Sequence, residues 1–508
     1  MGAVTYHLHL SPITYRVPQE PLATALLFTT FAALIVASVV FSRAFERTGV
    51  PVGLVFLAIG MLAGSEGIGG IEFDDYRFAF QIGTAALVLI LFDGGLNTPV
   101  DALKRVMAPA GLLATLGVAG TAALTAAGAR VLGFQWPQAL LLGAIVSSTD
   151  AASVFAVLRS SGIGLRRRVG STLEVESGLN DPMAMILTIA LTLAIVRGDT
   201  PAMPGLLLAV AQELIIGGVI GVVIGWIARA SLIRLRLRAL GLYPVVTIAL
   251  ALLAFGVATL AHGSGFLAVY VAGVAIGNGE LPYRHGVIRT HDAIAWLGQI
   301  VMFLFFGLLV FPTQLPAVAI PGLGLALVLA FIARPVFALA CLLPFGFTVR
   351  EAGYIGWIGL RGAVPIVLAI YPVLERVPGA HLIFNVVFFV VVANAILPGA
   401  TVKWATRWFG MEVDEPPRPH AVLELESMAP IKGELMTFYV DEALAVAGVP
   451  LSELPFPEGA AAALIIRGDE MIPPKGTTVL APGDYIYLFA RPEDRHFMLL
   501  MFGRPEEE

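Results

Sequence analysis

The segment VGSTLEVESGLNDPMAMIL, residues 169–187, is apolar and long enough to cross a bilayer as a helix, yet it contains three carboxylates. Its polar members are Glu174, Glu176, Ser177, Asn180 and Asp181. A charge near the bilayer centre costs roughly 2.5 kcal/mol or more, so ionisable groups inside a span indicate an ion path or a proton relay. The alternative interpretation is an ion pair that only holds helices together.

The whole chain has the composition of a multi-pass membrane protein. Its 508 residues are 58% hydrophobic and 13% charged, with a mean hydropathy of +0.87. The apolar runs have the length of membrane helices and lack the alternation of barrel strands. The predicted spans are about thirteen: 21–42, 50–64, 78–96, 108–129, 137–158, 169–196, 205–228, 242–261, 264–279, 292–311, 317–343, 352–372 and 382–402.

Charge in the loops predicts the orientation of the chain. Lys and Arg are concentrated after odd-numbered spans, as in the Arg166–Arg168 run. This distribution predicts a protein of the cell (inner) membrane with its N-terminus outside and its C-terminus in the cytoplasm. Residues 1–20 lack the features of a cleaved signal peptide and are expected to form an extracytoplasmic segment. The membrane domain is predicted over residues 21–405.

The sequence gives no indication of a resident metal, a cofactor or an enzyme site. The single cysteine, Cys341, excludes disulfides, and the eight histidines are scattered. We therefore expect no cofactor, no structural metal and no nucleic-acid partner.

A second, acidic domain follows the membrane part. Residues 412–508 contain eighteen Asp and Glu against seven Lys and Arg. Residues 411–420 are rich in proline and charge and are predicted to be a linker, so that residues 421–508 form a small α+β cytoplasmic domain. Strands are predicted over 433–440, 462–467 and 485–490, and helices over 441–451 and 492–501.

The tail segments GELMTFYV and AALIIRGDEMIPPKGTTVLAPGDYIYLFARPED resemble the C-terminal domain of the regulator-of-potassium-conductance family. This resemblance implies pairing across a homodimer and the binding of a small cytosolic ligand, with a purely structural role as the alternative. No strand followed by G-x-G-x-x-G occurs in the tail, so NAD binding is not expected.

The fifth predicted span contains SSTDAAS, residues 147–153, where hydroxyls and Asp150 interrupt the apolar pattern. Unwound stretches near the midplane of transporters expose carbonyls to cations, and Thr149 and Asp150 offer further oxygens. The alternative, serines bonded to their own helix, does not explain Asp150.

Helical spacing divides the sixth span into two faces. Glu174, Ser177 and Asp181 fall on one face, and Glu176 points elsewhere and requires its own cation. Arg361, in GLRGAVP of the twelfth span, is the predicted partner of Glu176 in a structural ion pair. Asp93, in FDGG of the third span, is either near an ion path or a solvated helix end, and Glu213 and Arg334 are ambiguous in the same way.

Together SSTDAAS, ESGLNDP and GLRGAVP resemble the motifs of the electroneutral branch of the sodium/proton exchanger superfamily, and FDGG is similar to its potassium/proton subgroup. The resemblance implies that Asp181 binds cation or proton, with Ser177, Asp150 and the Thr149 main chain as further ligands, and with Asp93 near the site. It implies that Asn180 is structural, with Glu174 as motif support, and that Glu176 pairs with Arg361. It also implies a homodimer.

We therefore expect an all-α polytopic membrane domain with unwound crossing helices, in which spans 1–6 and 8–13 are inverted repeats. The predicted function is exchange of a monovalent cation, potassium, for protons across the lipid bilayer, electroneutral because one carboxylate alternates between the two ions, and serving pH homeostasis. A sodium or lithium antiporter of the same fold is the alternative. A ligand-gated channel would need a carbonyl-lined filter such as TVGYG, which this sequence lacks. A sensor that transports nothing would leave the buried acids unexplained.

Overall fold

The fold was analysed in a computed structural model. It describes residues 20–45, 51–159, 161–198, 203–235, 237–279, 281–413, 433–442 and 444–503. The predicted N-terminal segment, most of the 411–420 linker and residues 421–432 lie outside these ranges.

The first eight helices include most of the polar motifs. Their bounds are α1 (Leu22–Phe45), α2 (Val52–Ala63), α3 (Tyr76–Asn97), α4 (Val100–Leu112), α5 (Val118–Val131), α6 (Trp136–Ile145), α7 (Ala151–Arg159) and α8 (Arg167–Arg197). A π-helical turn, Leu113–Gly117, joins α4 to α5 without a break. The expected interruption in the fifth span is present, because α6 ends at Ile145 and α7 begins at Ala151.

The next ten helices complete the membrane part. They are α9 (Met203–Leu235), α10 (Leu242–Leu260), α11 (Gly265–Gly277), α12 (Arg284–Leu308), α13 (Leu315–Val328), α14 (Arg334–Leu342), α15 (Val349–Trp357), α16 (Val364–Leu374), α17 (Ala380–Ala400) and α18 (Val402–Trp408). A second π-helical turn, Leu329–Ala333, joins α13 to α14.

The helices agree with a multi-pass membrane protein. In the described ranges, nine helices are long and apolar enough to cross a membrane, and four shorter apolar helices are Val52–Ala63, Trp136–Ile145, Gly265–Gly277 and Val364–Leu374. The short helices fall on the short predicted spans and on the two interrupted ones. The count of thirteen crossings stays a prediction.

The same order of features occurs twice along the chain. In each half a short second helix (α2, α11) is followed by a long third helix (α3, α12), a fourth with a π-helical turn, and a fifth broken in its middle. This repeated order is what two copies of one structural unit would produce, and inverted repeats build many transporters in this way.

Helix packing divides the membrane part into two blocks. The scaffold block consists of α1–α3 and α9–α12, in which α3 packs on α11 and α12, and α2 packs on α12. The crossing block consists of α4–α8 and α13–α18, in which α4 and α6 pack on α8, and α13 and α16 pack on α17. The two blocks meet where α3 contacts α16 and where α11 contacts α8.

A two-stranded ladder connects the end of the membrane part to the loop before α8. Strand β1 (Gly164–Leu165) pairs antiparallel with β2 (Glu412–Val413). The Arg166 backbone N–H also donates to the Met411 carbonyl at 3.1 Å. Residues 412–413, predicted to belong to a linker, therefore form a strand whose backbone is paired with β1.

The C-terminal part is a four-stranded antiparallel sheet with one helix. Its strands are β3 (Glu434–Tyr439), β4 (Ala461–Arg467), β5 (Glu470–Ile472) and β6 (Asp484–Ala490), in the order β3-β6-β4-β5, followed by α19 (Arg495–Phe502). The three predicted strands and the last helix are confirmed within a residue or two, except that the helix begins at Arg495. Strand β5 was not predicted, because three residues are too few to show a pattern.

The predicted helix over 441–451 is wrong. The described residues of this segment form turns, and Gly448 adopts a positive φ of 81° that favours glycine. Its internal backbone bonds are those of turns, such as the Ala447 N–H to the Leu444 carbonyl, and the Gly448 N–H bonds to the carbonyl of Leu480 in a distant loop at 2.7 Å.

A buried carboxylate fixes the end of the central strand in this domain. Asp484 is 0% exposed and accepts from Arg467 Nε at 2.7 Å and Nη2 at 2.8 Å. We expect Arg467→Met to lower the free energy of unfolding of this domain by about 1–3 kcal/mol, because the carboxylate loses a charged partner. Chemical denaturation followed by tyrosine fluorescence measures this change.

The matched control is Arg491→Met, whose pair with Glu493 is exposed on both sides. It should change stability by about 0–1 kcal/mol. Equal losses in the two variants would contradict the assigned role of Arg467.

Candidate ion site where two broken helices cross

The two interrupted helices cross each other at their breaks. Residues 146–150 separate α6 from α7, and residues 358–363 separate α15 from α16. The Asp150 N–H donates to the Leu360 carbonyl at 2.8 Å, so one break satisfies a backbone group of the other. The contact is close: a Cβ added to Gly362 would lie 2.3 Å from Asp150 Oδ2.

Asp150 caps the start of α7. Its Oδ1 accepts from the Ser153 N–H at 3.2 Å, and its Oδ2 accepts from Ser153 Oγ at 2.5 Å. A carboxylate is stabilised by the positive end of a helix dipole, and here α7 and α16 both begin next to Asp150. Its predicted role as an ion ligand stays a prediction beside this observed structural one.

Helix α8 presents two different faces to its surroundings, as its spacing predicted. Glu174, Ser177 and Asp181 are partly exposed, whereas Glu176 and Asn180 are 1% and 0% exposed. Pro182 lies inside this 31-residue helix without ending it.

The buried face of α8 holds the first break in place. Asn180 Nδ2 donates to Thr149 Oγ1 at 2.6 Å and to Glu176 Oε1 at 3.0 Å. Thr149 Oγ1 in turn donates to Glu176 Oε1 at 3.0 Å. The Thr149 carbonyl accepts from Ser177 Oγ at 3.1 Å. The carbonyl that the sequence analysis assigned to a cation is therefore already bonded to α8.

The ion pair of Glu176 is formed with Arg334, and the predicted pair with Arg361 is wrong. Arg334 Nη2 lies 2.8 Å from Glu176 Oε2, and both side chains are almost fully buried. The guanidinium reaches Glu176 because Gly359 has no side chain: a Cβ there would lie 2.8 Å from Arg334 Nε. Arg334 also follows directly on the π-helical turn, whose wider spiral changes the direction of the residues after it.

Arg361 has a different environment within the second break. Its Nη1 donates to the Gly359 carbonyl at 2.9 Å, just beyond the C-terminal end of α15. A cation is stabilised there by the negative end of the helix dipole. Arg361 and Asp150 thus place opposite charges beside opposite helix ends.

Asp181 has the features expected of a group that binds an ion. Its Oδ1 is buried and has no hydrogen-bond partner among the residues that the structure describes. Ser148 lies close enough to hydrogen-bond the carboxylate, and Asp150 and Glu176 are its electrostatic neighbours. Of these carboxylates, Glu176 is neutralised by Arg334 and Asp150 caps a helix, which leaves Asp181 available to take up a proton or a cation.

Two predicted acids lie apart from this cluster of polar residues. Asp93, on α3, accepts from Asn97 Nδ2 at 3.1 Å and is an electrostatic neighbour of Asp292. Glu174 lies 3.5 Å from Thr98 Oγ1 of the scaffold block. The structure therefore brings together Asp150, Thr149, Ser177, Glu176, Asn180 and Asp181. Glu174 faces the end of α3, and Asp93 belongs to the scaffold block itself.

Two contributors to this site were not predicted from the sequence. Ser148 was part of the SSTDAAS motif but received no role, although its position beside Thr149 could have indicated one. Arg334 was left ambiguous. A charged residue in the middle of an apolar span was the only signal, and it did not identify a partner.

A membrane domain in which two broken helices cross beside an unpaired buried carboxylate has the fold and site of a secondary cation antiporter. Residues 16–408 match the transmembrane part of the sodium/hydrogen exchanger family, and residues 435–500 match the TrkA-C domain. The chain belongs to the sodium/hydrogen exchanger family.

Named relatives and a solved structure agree with this assignment. The chain is 45% identical over 409 residues to the K(+)/H(+) antiporter NhaP of Alkalimonas amylolytica, covering 80% of this chain and 71% of the relative. It is 38% identical over 483 residues to the K(+)/H(+) antiporter NhaP2 of Shewanella baltica (strain OS223), covering 94% and 83%. The sodium proton antiporter MjNhaP1 from Methanocaldococcus jannaschii at pH 8 has the same fold, with a TM-score of 0.63 and 22% identity over 73% of this chain and 99% of that one.

The corrected ion pair leads to a stability prediction. Arg334→Met should destabilise the protein by about 3–5 kcal/mol, because Glu176 would remain buried without its cation. The double variant Arg334→Met/Glu176→Gln should lose less than the sum of the two single losses. Thermal unfolding of the purified protein in detergent measures both effects.

Arg361→Met provides the comparison. Combined with Glu176→Gln, it should show weaker coupling than Arg334→Met does, because Arg361 is an electrostatic neighbour of Glu176 and Arg334 is its direct partner. Strong coupling of Glu176 with Arg361, and none with Arg334, would mean that the pairing described above is wrong.

Proposed function

We propose that this antiporter exchanges potassium for protons at Asp181. The single observation that carries the proposal is the buried, unpartnered Oδ1 of Asp181 next to the crossed breaks. The choice of potassium is supported by the relatives named K(+)/H(+) antiporter at 45% and 38% identity.

Competition at one carboxylate accounts for exchange. A proton on Asp181 removes the negative charge that attracts a cation, and a bound cation occupies the oxygen that the proton needs. Ser148 supplies a neutral oxygen beside the carboxylate, Ser177 lies one helical turn away on the same face of α8, and hard cations prefer oxygen ligands. The site therefore holds either ion, and alternate exposure to the two sides of the membrane converts competition into antiport.

The same arrangement supports an electroneutral cycle. Because Glu176 is paired with Arg334, its charge does not need to change when Asp181 exchanges one proton for one monovalent cation. One positive charge then moves in each direction, and the membrane potential does not drive the cycle.

Substitution of Asp181 is the direct test of the site. We expect Asp181→Asn to abolish cation-stimulated proton release from acid-loaded proteoliposomes, because an amide binds neither ion as an exchangeable ligand. Ser177→Ala should retain exchange with a higher apparent KM. Potassium, sodium and lithium are added in turn, with the membrane potential clamped.

Asp74→Asn, on an exposed loop, serves as the charge-matched control and should exchange like the parent protein. A response to sodium or lithium without potassium would change the substrate to the alternative ion. Activity in Asp181→Asn would exclude the proposed site.

The cellular arrangement follows from charge and from the tail. We infer an N-terminus outside and a C-terminus in the cytoplasm, from the Lys and Arg of the loops after odd-numbered spans. A homodimer paired in part through the TrkA-C domain, with a small cytosolic ligand bound there, is proposed on the resemblance of residues 435–500 to that domain.

Truncation tests regulation by the tail. Met411 is 1% exposed in the core of the crossing block, and residues 412–413 form β2, so a stop codon after Val413 removes the domain and leaves this packing intact. We expect an altered rate or pH profile of exchange in the truncated protein, measured in the same proteoliposomes. An unchanged rate and profile at equal expression would rule out regulation under those conditions.

A further inference from the structure

The chain passes between the scaffold block and the crossing block at three connections. Two of them are short and fully described: residues 97–100 between α3 and α4, and residues 309–314 between α12 and α13. Movement of one block against the other must be absorbed near these connections, because hinge motion is concentrated in residues at the ends of elements.

Asn278 of the scaffold block holds the first connection with both ends of its amide. It lies at the C-terminal end of α11, where its Oδ1 accepts from the Val100 N–H at 2.8 Å. Its Nδ2 donates to the Thr98 carbonyl at 2.8 Å. Two backbone groups that precede and begin α4 are thereby attached to α11.

Glu66 holds the second connection in the same manner. It follows α2, and its Oε2 accepts from the Thr313 N–H at 2.8 Å. Its Oε1 accepts from Thr313 Oγ1 at 2.5 Å. The chain that leads into α13 is thereby attached to the end of α2.

The two attachments occupy equivalent places in the two halves of the chain. In each half a residue shortly after the second helix (three residues after α2, one after α11) bonds twice where the third helix of the other half connects to the fourth. A chance surface contact would not be expected to recur at the corresponding place in a repeated unit.

The helices that carry these residues pack backbone against backbone. A Cβ added to Gly277 would lie 2.2 Å from the Leu96 carbonyl oxygen, where α11 meets α3. A Cβ added to Gly307 would lie 2.4 Å from the Leu57 carbonyl oxygen, where α12 meets α2. Each attachment therefore rests on a helix pair whose backbones are in close contact at these glycines.

We propose that Glu66 and Asn278 are positioning residues for transport, which fix the two points about which the crossing block moves. Their bonds attach the start of α4 and the residues just before α13 to the scaffold block, and in this proposal they persist through the cycle. The contact of Thr98 Oγ1 with Glu174, in contrast, joins the two blocks and must break when α8 moves. This inference rests on the proposed exchange at Asp181.

The test separates turnover from ion binding. Asn278→Ala and Glu66→Ala are assayed in proteoliposomes with whichever cation the parent protein exchanges. We expect turnover to fall about three- to tenfold in each, with the apparent KM for the cation within about twofold, because the ion ligands are untouched and the block displacement is less well directed.

Conservative variants keep the test interpretable if an alanine variant folds poorly. Glu66→Gln retains an acceptor for the Thr313 N–H and a second polar group for its hydroxyl, so it should retain near-normal turnover. Asn278→Asp keeps the acceptor for the Val100 N–H but loses the bonds to the Thr98 and Val274 carbonyls, so its turnover should be intermediate. Glu72→Ala is the loop control, since Glu72 is exposed on the same loop as Glu66.

Each outcome supports or overturns the proposal. Unchanged turnover in both alanine variants would overturn it. Faster turnover would also overturn it, because the bonds would then restrain motion and break during the cycle. Parent protein and Asp181→Asn are run in parallel. Absence of exchange in the parent, or exchange in Asp181→Asn, would count against the proposed function, whereas normal exchange in both alanine variants with none in Asp181→Asn would count against the anchors alone.

Discussion

Backbone groups inside a bilayer must find partners within the protein, and the membrane part is built around the two places where a helix cannot supply them. At the crossing, the Asp150 N–H bonds to the Leu360 carbonyl, and the Thr149 carbonyl is bonded by α8. The glycines of the second break permit this approach, because any side chain at Gly362 would collide with Asp150. The proposed ion site consists of the polar groups that these two breaks bring together.

Much of this arrangement could be predicted from the sequence because local spacing determines it. The break at 147–153 and the shared face of Glu174, Ser177 and Asp181 follow from residue pattern and helical periodicity. The partner of Glu176 could not be predicted in this way. It depends on how α14 is oriented after a π-helical turn, and on a gap left by Gly359, neither of which local spacing reveals. The turns of 441–451 were missed for a similar reason, since their bonds lead to a distant loop.

The symmetry of the anchors was equally hidden in the sequence. Glu66 and Asn278 differ in residue type, and they belong to different loops whose surroundings show no common motif. Only the three-dimensional structure shows that each bonds to the opposite half of the chain. Each repeated unit therefore contributes a broken helix to the crossing. It also contributes a residue after its second helix that bonds to the connection of the other half.

Because of the short ladder between β1 and β2, the effect of a force on the acidic tail depends on the direction of that force. Val413, where the tail departs, pairs with Gly164 at the end of the ladder, only a few residues before α8. A force perpendicular to the strands would separate the residue pairs one after the other and leave α8 unaffected. A force along the strands would strain both pairs together and be transmitted to the helix that carries Asp181. The angle at which the C-terminal domain pulls, as much as its strength, would thus decide whether the ion site responds.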